Sequence, residues 1–235
     1  MAPMLSASIQ MVRRICARMP PTAWSTPSSR LRSVIETVSV LTIPRIATST
    51  ATPGANRLVE MRQSGERTTY AYDADGLRIA QTRYPATGDP VTTRYLQDPS
   101  YAYSQVIEQW RREGAGATQL EATYAFADEL IAQTRYAGAA ATTAFVQADG
   151  FGSVRWLTDA AGVVTDGVEY DAFGNEVYRS GSTPTEHLYR GEQFDPILGF
   201  YYLRARYMDP SAGRFTQQDA FNGLNTDPRS LHKYL

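Results

Sequence analysis

The 235-residue sequence contains a single cysteine, Cys16, and only two histidines, His187 and His232. One cysteine excludes an internal disulfide framework and a cysteine-ligated zinc site. No apolar run approaches the roughly 20 residues that a membrane-spanning helix needs. A net charge of −1 supplies no basic field to hold a polyanion, so nucleic acid is not an expected partner. Absences also divide the chain. From Met1 to Pro53 there is no Gly, Tyr, Asp or Lys, and six Arg face one acid, Glu36. All 17 Gly and 15 Tyr come later. Arg13, Arg14 and Arg18 interrupt the stretch where a secretory signal needs a continuous apolar region, so no signal peptide is recognised and the export route stays open. Residues 1–53 read as a poorly structured segment, an organelle transit peptide, or a spurious start from a shifted frame of GC-rich DNA.

What is present reads as β-structure. With 43% hydrophobic residues the chain can bury a sizeable core. From Gly54 onward, short strand-like runs alternate with Gly, Asp, Asn and Pro signals, as in antiparallel sheets. Internal similarity accompanies them: TTYAYDADGLRIAQTRY (68–84) is echoed by ATYAFADELIAQTRY (122–136), and VEYDAFGNEVY (168–178) repeats its Tyr, Asp and Gly. The shared unit is Y-D-x-x-G, at Tyr72 to Gly76 and Tyr170 to Gly174. Asp accepts hydrogen bonds from the backbone ahead of it, Gly takes the positive φ of a tight turn, and Tyr offers a broad packing face. Each unit is therefore expected to be a hairpin, and several together an extended sheet.

Cofactor and metal motifs are not supported. Asp73 and Asp75 beside Gly76 invite calcium, but the glycine comes too early for an EF-hand loop and Tyr84 stands at its twelfth position. Gly150-Phe-Gly152 lacks the third glycine of a dinucleotide fingerprint. His187, in EHLYR, suits a structural or surface role better than a ligand or general base. No cofactor and no metal are expected.

The stretch QFDPILGFYYLRARYMDPSAGRF (193–215) writes D-P-x-x-G twice around nine aromatic- and arginine-rich residues. Each copy is expected to close a hairpin, with Pro fixing φ, Asp bonding into the turn and Gly taking the left-handed position. Between them, Phe200 to Met208 reads as one strand of about 30 Å. Alternation places Tyr201, Leu203, Ala205 and Tyr207 on one face, with Arg204 and Arg206 on the other. Those arginines either face water or are enclosed and paired, Asp219 being the natural partner.

The run RGEQFDPILGFYYLRARYMDPSAGRFTQQD (190–219) resembles the signature of the RHS-repeat-associated core domain, with Phe200 in place of Leu and Met208 in place of Tyr. DGFGSVRWLTD (149–159) is similar to another segment of that family, and the Y-D-x-x-G units resemble YD repeats. The likeness covers roughly residues 57–235. It implies an all-β fold, an antiparallel β-hairpin sheet or part of a spiral shell, with residues 1–53 irregular, 54–145 YD-repeat-like hairpins and 146–235 a core domain. In bacterial members, Tc toxin C components included, the shell encloses a toxic C-terminal polypeptide; animal teneurins share the architecture.

The resemblance also implies self-cleavage by an arginine and two aspartates. By motif position these include Arg206 and Asp219. The second aspartate belongs to a D-P-x-G segment that this sequence does not reach, and Asp227-Pro228 falls too early to match it. The expectation is therefore a non-enzymatic, C-terminally truncated shell fragment. One alternative is a half-site for aspartyl autoprocessing that a longer chain completes. Another is a surface module binding carbohydrate or a protein partner. Expected partners of intact relatives are the enclosed toxin segment, secretion or Tc-complex components and cell-surface glycans, at a secreted or cell-surface location.

Overall fold

The computed structural model describes residues 39–43, 47–52 and 57–234. Thirteen strands follow one another as a single open antiparallel sheet. They are β1 Ser39–Ile43, β2 Ala47–Thr52, β3 Arg57–Gln63, β4 Glu66–Tyr72, β5 Arg78–Tyr84, β6 Val91–Asp98, β7 Gln105–Glu113, β8 Gln119–Phe126, β9 Leu130–Ala137, β10 Ala140–Ala148, β11 Val154–Thr158, β12 Val164–Tyr170 and β13 Glu176–Ser180. Every strand pairs with its neighbour in sequence, as hairpins linked by short turns must. A second, four-stranded sheet follows: β14 Gln193–Asp195, β15 Phe200–Leu203, β16 Arg206–Asp209 and β17 Arg214–Phe215. The large sheet reaches back to Ser39, inside the segment that composition set apart, where Val, Ile and Thr supply β-branched residues that favour extended backbone. The readings of residues 1–38 lie outside the described residues. The sheet also runs through residue 145 within β10, and the smaller sheet begins only at Gln193.

The loops of the large sheet share one construction. In Asp73 to Gly76 and Asp171 to Gly174, the Asp N–H donates to the carbonyl of the residue four ahead, and the Gly N–H donates back to the Asp carbonyl. The same backbone pair closes Asp149 to Gly152 and Asp159 to Gly162, where no Tyr precedes the Asp. In each loop the Asp carboxylate also takes the N–H four residues on, at 2.8 to 3.0 Å. The expected hairpins are present, and D-x-x-G is the unit that builds them.

Both D-P-x-x-G segments are hairpin ends. Asp195 pairs with Phe200, and Asp209 with Arg214. Asp195 Oδ1 accepts the N–H groups of Ile197 and Leu198; Asp209 Oδ1 accepts those of Ser211 and Ala212. Gly199 and Gly213 close the loops at φ 73° and 63°, a region that a side chain enters only at a cost.

Between these ends the single expected strand is instead a hairpin. Leu203 pairs with Arg206 and Tyr202 with Tyr207, so the chain reverses at Arg204-Ala205, and Arg204 has φ 54°. Tyr202 and Tyr207 therefore share one face, and Tyr201 points to the other. All three are buried, so both faces of this small sheet are covered. The alternation pattern missed the reversal because the turn carries an arginine and an alanine in place of Gly, Asn or Pro.

Two apolar clusters form the core. One joins Tyr95, Val106, Ala122, Tyr124, Leu130, Ala144, Val146, Val154 and Leu157 from β6 to β11. The other sets Leu58, Met61 and Tyr70 of β3 and β4 against Phe200, Tyr202 and Tyr207 of the small sheet. Residues 183–192 strap the sheets together. Thr183 donates to Asp166 at 2.7 and 2.6 Å, Gln133 donates to the Pro184 carbonyl at 2.9 Å, and Val154 N–H donates to the Leu188 carbonyl at 3.0 Å.

Replacing Gly199 or Gly213 with alanine tests the two turns. Each substitution carries a positive-φ penalty of about 1 kcal/mol. A Cβ at Gly213 also meets the Phe173 ring at 2.8 Å, whereas one at Gly199 meets nothing within 4 Å. Urea unfolding should find Gly213→Ala the more destabilised; equal losses would mean that the Phe173 ring yields freely.

Candidate functional site

Arg206 opens β16 directly after the two-residue reversal, and its side chain turns toward the segment beyond β17. Its Nη2 lies 3.1 Å from Asp219 Oδ2, so the two residues singled out in the sequence form an ion pair. The Phe215 ring lies 3.5 Å from the Arg206 guanidinium carbon, close enough to fix the plane of the fork. Arg206 Nη1 is buried and has no acceptor. Its fork is thus half used: one edge meets Asp219, and the other is a desolvated, unfilled donor.

Asp219 follows β17 in irregular backbone. It heads a third loop of the D-x-x-x-G spacing, Asp219 to Gly223, and its Oδ1 accepts Phe221 N–H at 2.8 Å, as Asp195 and Asp209 do in their loops. The C-terminal segment clips this loop in place. Asp219 N–H donates to the Lys233 carbonyl at 2.8 Å, and Phe215 N–H to the Tyr234 carbonyl at 3.1 Å. Asp227 stands before the 3-10 turn Pro228–Leu231, where its carbonyl accepts from Ser230. Arg204, expected beside Arg206, goes elsewhere. It pairs with Glu192 and donates to the Ser104 carbonyl at 3.0 Å, binding the small sheet to the loop before β7.

The densest polar centre escaped sequence reasoning. Arg78, at the start of β5, is 1% exposed. Its Nη1 donates to Asp195 Oδ2 at 2.9 Å, its Nη2 to Gln193 Oε1 at 2.8 Å, and its guanidinium lies 4.5 and 4.9 Å from the Tyr202 and Tyr95 rings. Tyr207 Oη accepts from Nη1 at 3.3 Å, while Arg78 N–H donates to Tyr202 Oη at 2.7 Å. Gln193 continues the network to Glu186, which also accepts from Gln109. Burial pushes the Glu186 carboxyl up, and those two amide donors partly offset the shift. The available sequence signal was an arginine between Leu77 and Ile79, two residues past a Y-D-x-x-G loop.

His187 is enclosed on the same strap. Its ring lies 4.7 Å from Tyr124 and 5.7 Å from Phe126, and Nδ1 donates to the Gly191 carbonyl at 3.0 Å. Burial, helped by the charges of Arg204 and Arg78, pushes its pKa down to about 4, so the ring is neutral at pH 7. Of the structural and surface roles expected of it, the ring takes the enclosed, structural one.

No family model matches the chain. It is 27% identical over 175 residues to the tRNA3(Ser)-specific nuclease WapA of Bacillus spizizenii, an alignment covering 71% of this chain and 7% of that protein. Double-stranded DNA deaminase toxin A of Burkholderia cenocepacia is 26% identical over 204 residues, covering 76% and 14%. The crystal structure of TcdB2-TccC3-Cdc42 superposes with a TM-score of 0.60 at 16% identity, over 84% of this chain and 9% of that one. The chain is similar to RHS/YD-repeat proteins. The chain spans 14% or less of the length of each of these relatives. No helix among its described residues is long and apolar enough to cross a membrane.

Two measurements probe the buried groups of the chain. Removing one partner of an enclosed ion pair leaves an uncompensated charge, so Arg78→Met and Asp195→Asn should each cost about 3 to 5 kcal/mol in urea unfolding. The double variant Arg78→Met/Asp195→Leu should recover much of that, and single losses under about 1 kcal/mol would exclude a structural role for the pair.

For His187 the folded pKa lies below the unfolded value, so unfolding takes up a proton and acid destabilises the fold between pH 6.5 and about 4. Glu186, raised by burial, acts in the opposite sense. Over that window wild type should lose about 3 kcal/mol more than His187→Gln. Parallel stability curves would show that the ring protonates as readily in the fold as outside it.

Proposed function

We propose that the chain is a wall segment of a toxin-carrying RHS shell, and that in the whole protein the shell encloses a C-terminal polypeptide and engages Tc-type or secretion components. The observation carrying this reading is the open meander of thirteen strands locked to the small sheet, together with its likeness to a TcdB2-TccC3 structure. Among the described residues the open sheet ends at β1 and β13, and further repeats would cover those edges. The glycan reading loses six strand tyrosines, Tyr70, Tyr95, Tyr124, Tyr201, Tyr202 and Tyr207, which are buried.

A second reading, self-cleavage, is favoured by the 3.1 Å Arg206–Asp219 pair and by the unfilled Arg206 Nη1. Aspartyl hydrolysis needs two carboxylates sharing a proton, so a longer chain must bring the second. Arg206 would then hold Asp219 in place and offer Nη1 to a peptide oxygen or to the incoming carboxylate.

Expression with the flanking coding sequence tests both readings. The polypeptide following residue 235 should resist protease until the shell is unfolded, and equal digestion before and after unfolding would end the enclosure reading. A cleaved product that Asp219→Asn abolishes, with the shell still protease-resistant, supports self-cleavage; a product unaffected by Asp219→Asn removes it.

A further inference from the structure

We propose that Asn222-Gly223 is a site of spontaneous deamidation, assisted by Lys233, that places a second carboxylate on the Asp219 loop and pairs it with Lys233. The proposal is independent of the shell and self-cleavage readings.

Deamidation begins when the backbone nitrogen of the following residue attacks the Asn side-chain carbonyl. Glycine offers that nitrogen with no side chain in the way, and its backbone reaches conformations that other residues avoid. In the first D-P-x-x-G loop the glycine is engaged, since Gly199 N–H donates to the Asp195 carbonyl at 2.8 Å. Gly223, at the matching place of the Asp219 loop, donates to no acceptor among the described residues. Its φ is 80°, and a Cβ there would come within 2.5 Å of the Ser230 carbonyl oxygen, so the packing itself requires glycine after Asn222. Asn222 is exposed and open to the water that completes the reaction.

Lys233 supplies the second component. It is the only lysine in the chain. Its Nζ donates to Asn222 Oδ1 at 3.3 Å and is fixed by a 2.6 Å bond to the Phe221 carbonyl. A cation at Oδ1 stabilises the negative charge that develops there when the amide is attacked. The Gly223 nitrogen loses its proton and bonds to Asn222 Cγ, the Cγ–Nδ2 bond breaks, and ammonia leaves. Water then opens the resulting succinimide at either carbonyl, giving Asp or isoaspartate. The product carboxylate faces Lys233 Nζ, and the same residue's carbonyl holds Asp219 N–H, so the new ion pair tightens the clip on Asp219.

The test incubates the full chain in mildly alkaline buffer and maps peptides by mass. A gain of about 1 Da is expected at Asn222, as a mixture of Asp and isoaspartate, ahead of Asn56, Asn175 and Asn225. Asn222→Gln, which must close a larger ring, should abolish the gain. Lys233→Met should slow it at least about 3-fold, and Lys233→Arg should restore most of the rate. Modification no faster at Asn222 than at Asn225 overturns the site, and an unchanged rate in Lys233→Met overturns the assistance. In Asn222→Asp, amide exchange at Asp219 should slow relative to wild type; unchanged exchange removes the consequence for the clip.

Discussion

The Arg78–Asp195 pair is the constraint on which the remaining structure depends. A guanidinium placed 1% exposed at the start of β5 is costly unless its charge and donors are met. Among the described residues the large sheet offers it the Tyr95 ring at 4.9 Å and the neutral Gln81 Oε1 at 3.5 Å, but no paired carboxylate. Asp195 and Gln193 come from β14, and Tyr202 and Tyr207 come from β15 and β16. The large sheet is completed only when the small sheet docks, and the apolar cluster of Leu58, Met61, Tyr70, Phe200, Tyr202 and Tyr207 forms around the same junction. Burial and charge pairing thus select one arrangement of the two sheets. The strap at residues 183–192 extends that selection through Glu186 toward the opposite part of the sheet.

Asp195 divides its work between its two oxygens. Oδ1 caps the turn through Ile197 and Leu198, while Oδ2 meets Arg78. The D-P-x-x-G loop is therefore both a hairpin end and the means of aiming a carboxylate. Asp219 repeats the division on a more open scale, with Oδ1 on Phe221 N–H and Oδ2 on Arg206. A loop that caps itself holds its aspartate in place, and the second oxygen is left free for a partner from another element.

Sequence reasoning reached what local chemistry controls. The antiparallel sheet, the hairpin at each Y-D-x-x-G and both D-P-x-x-G ends follow from turn residues whose hydrogen bonds lie within a few positions of one another. Arg206 and Asp219 were legible as a pair because an enclosed guanidinium needs a carboxylate and because family resemblance marked both. The Arg204-Ala205 reversal was not legible, since neither residue announces a turn and the pattern around them alternates plausibly. Arg78 was hidden for a different reason. Its partners lie more than 100 positions away, and only the docked sheets make an isolated arginine into a buried centre. The loops at Asp149 and Asp159 were not legible as repeat members because Ala148 and Thr158 stand where the repeat has tyrosine, whereas the hydrogen bonds come from the aspartate and glycine.

Those self-contained loops have a consequence for how such sheets change over generations. Each D-x-x-G closes its own backbone, so a hairpin can be inserted or deleted as a block without retuning the turns beside it. Sheet length becomes an adjustable quantity, and recombination between like hairpins can lengthen or shorten the sheet. The docking residues Arg78 and Asp195 mark where that freedom stops, because each depends on a partner outside its own hairpin.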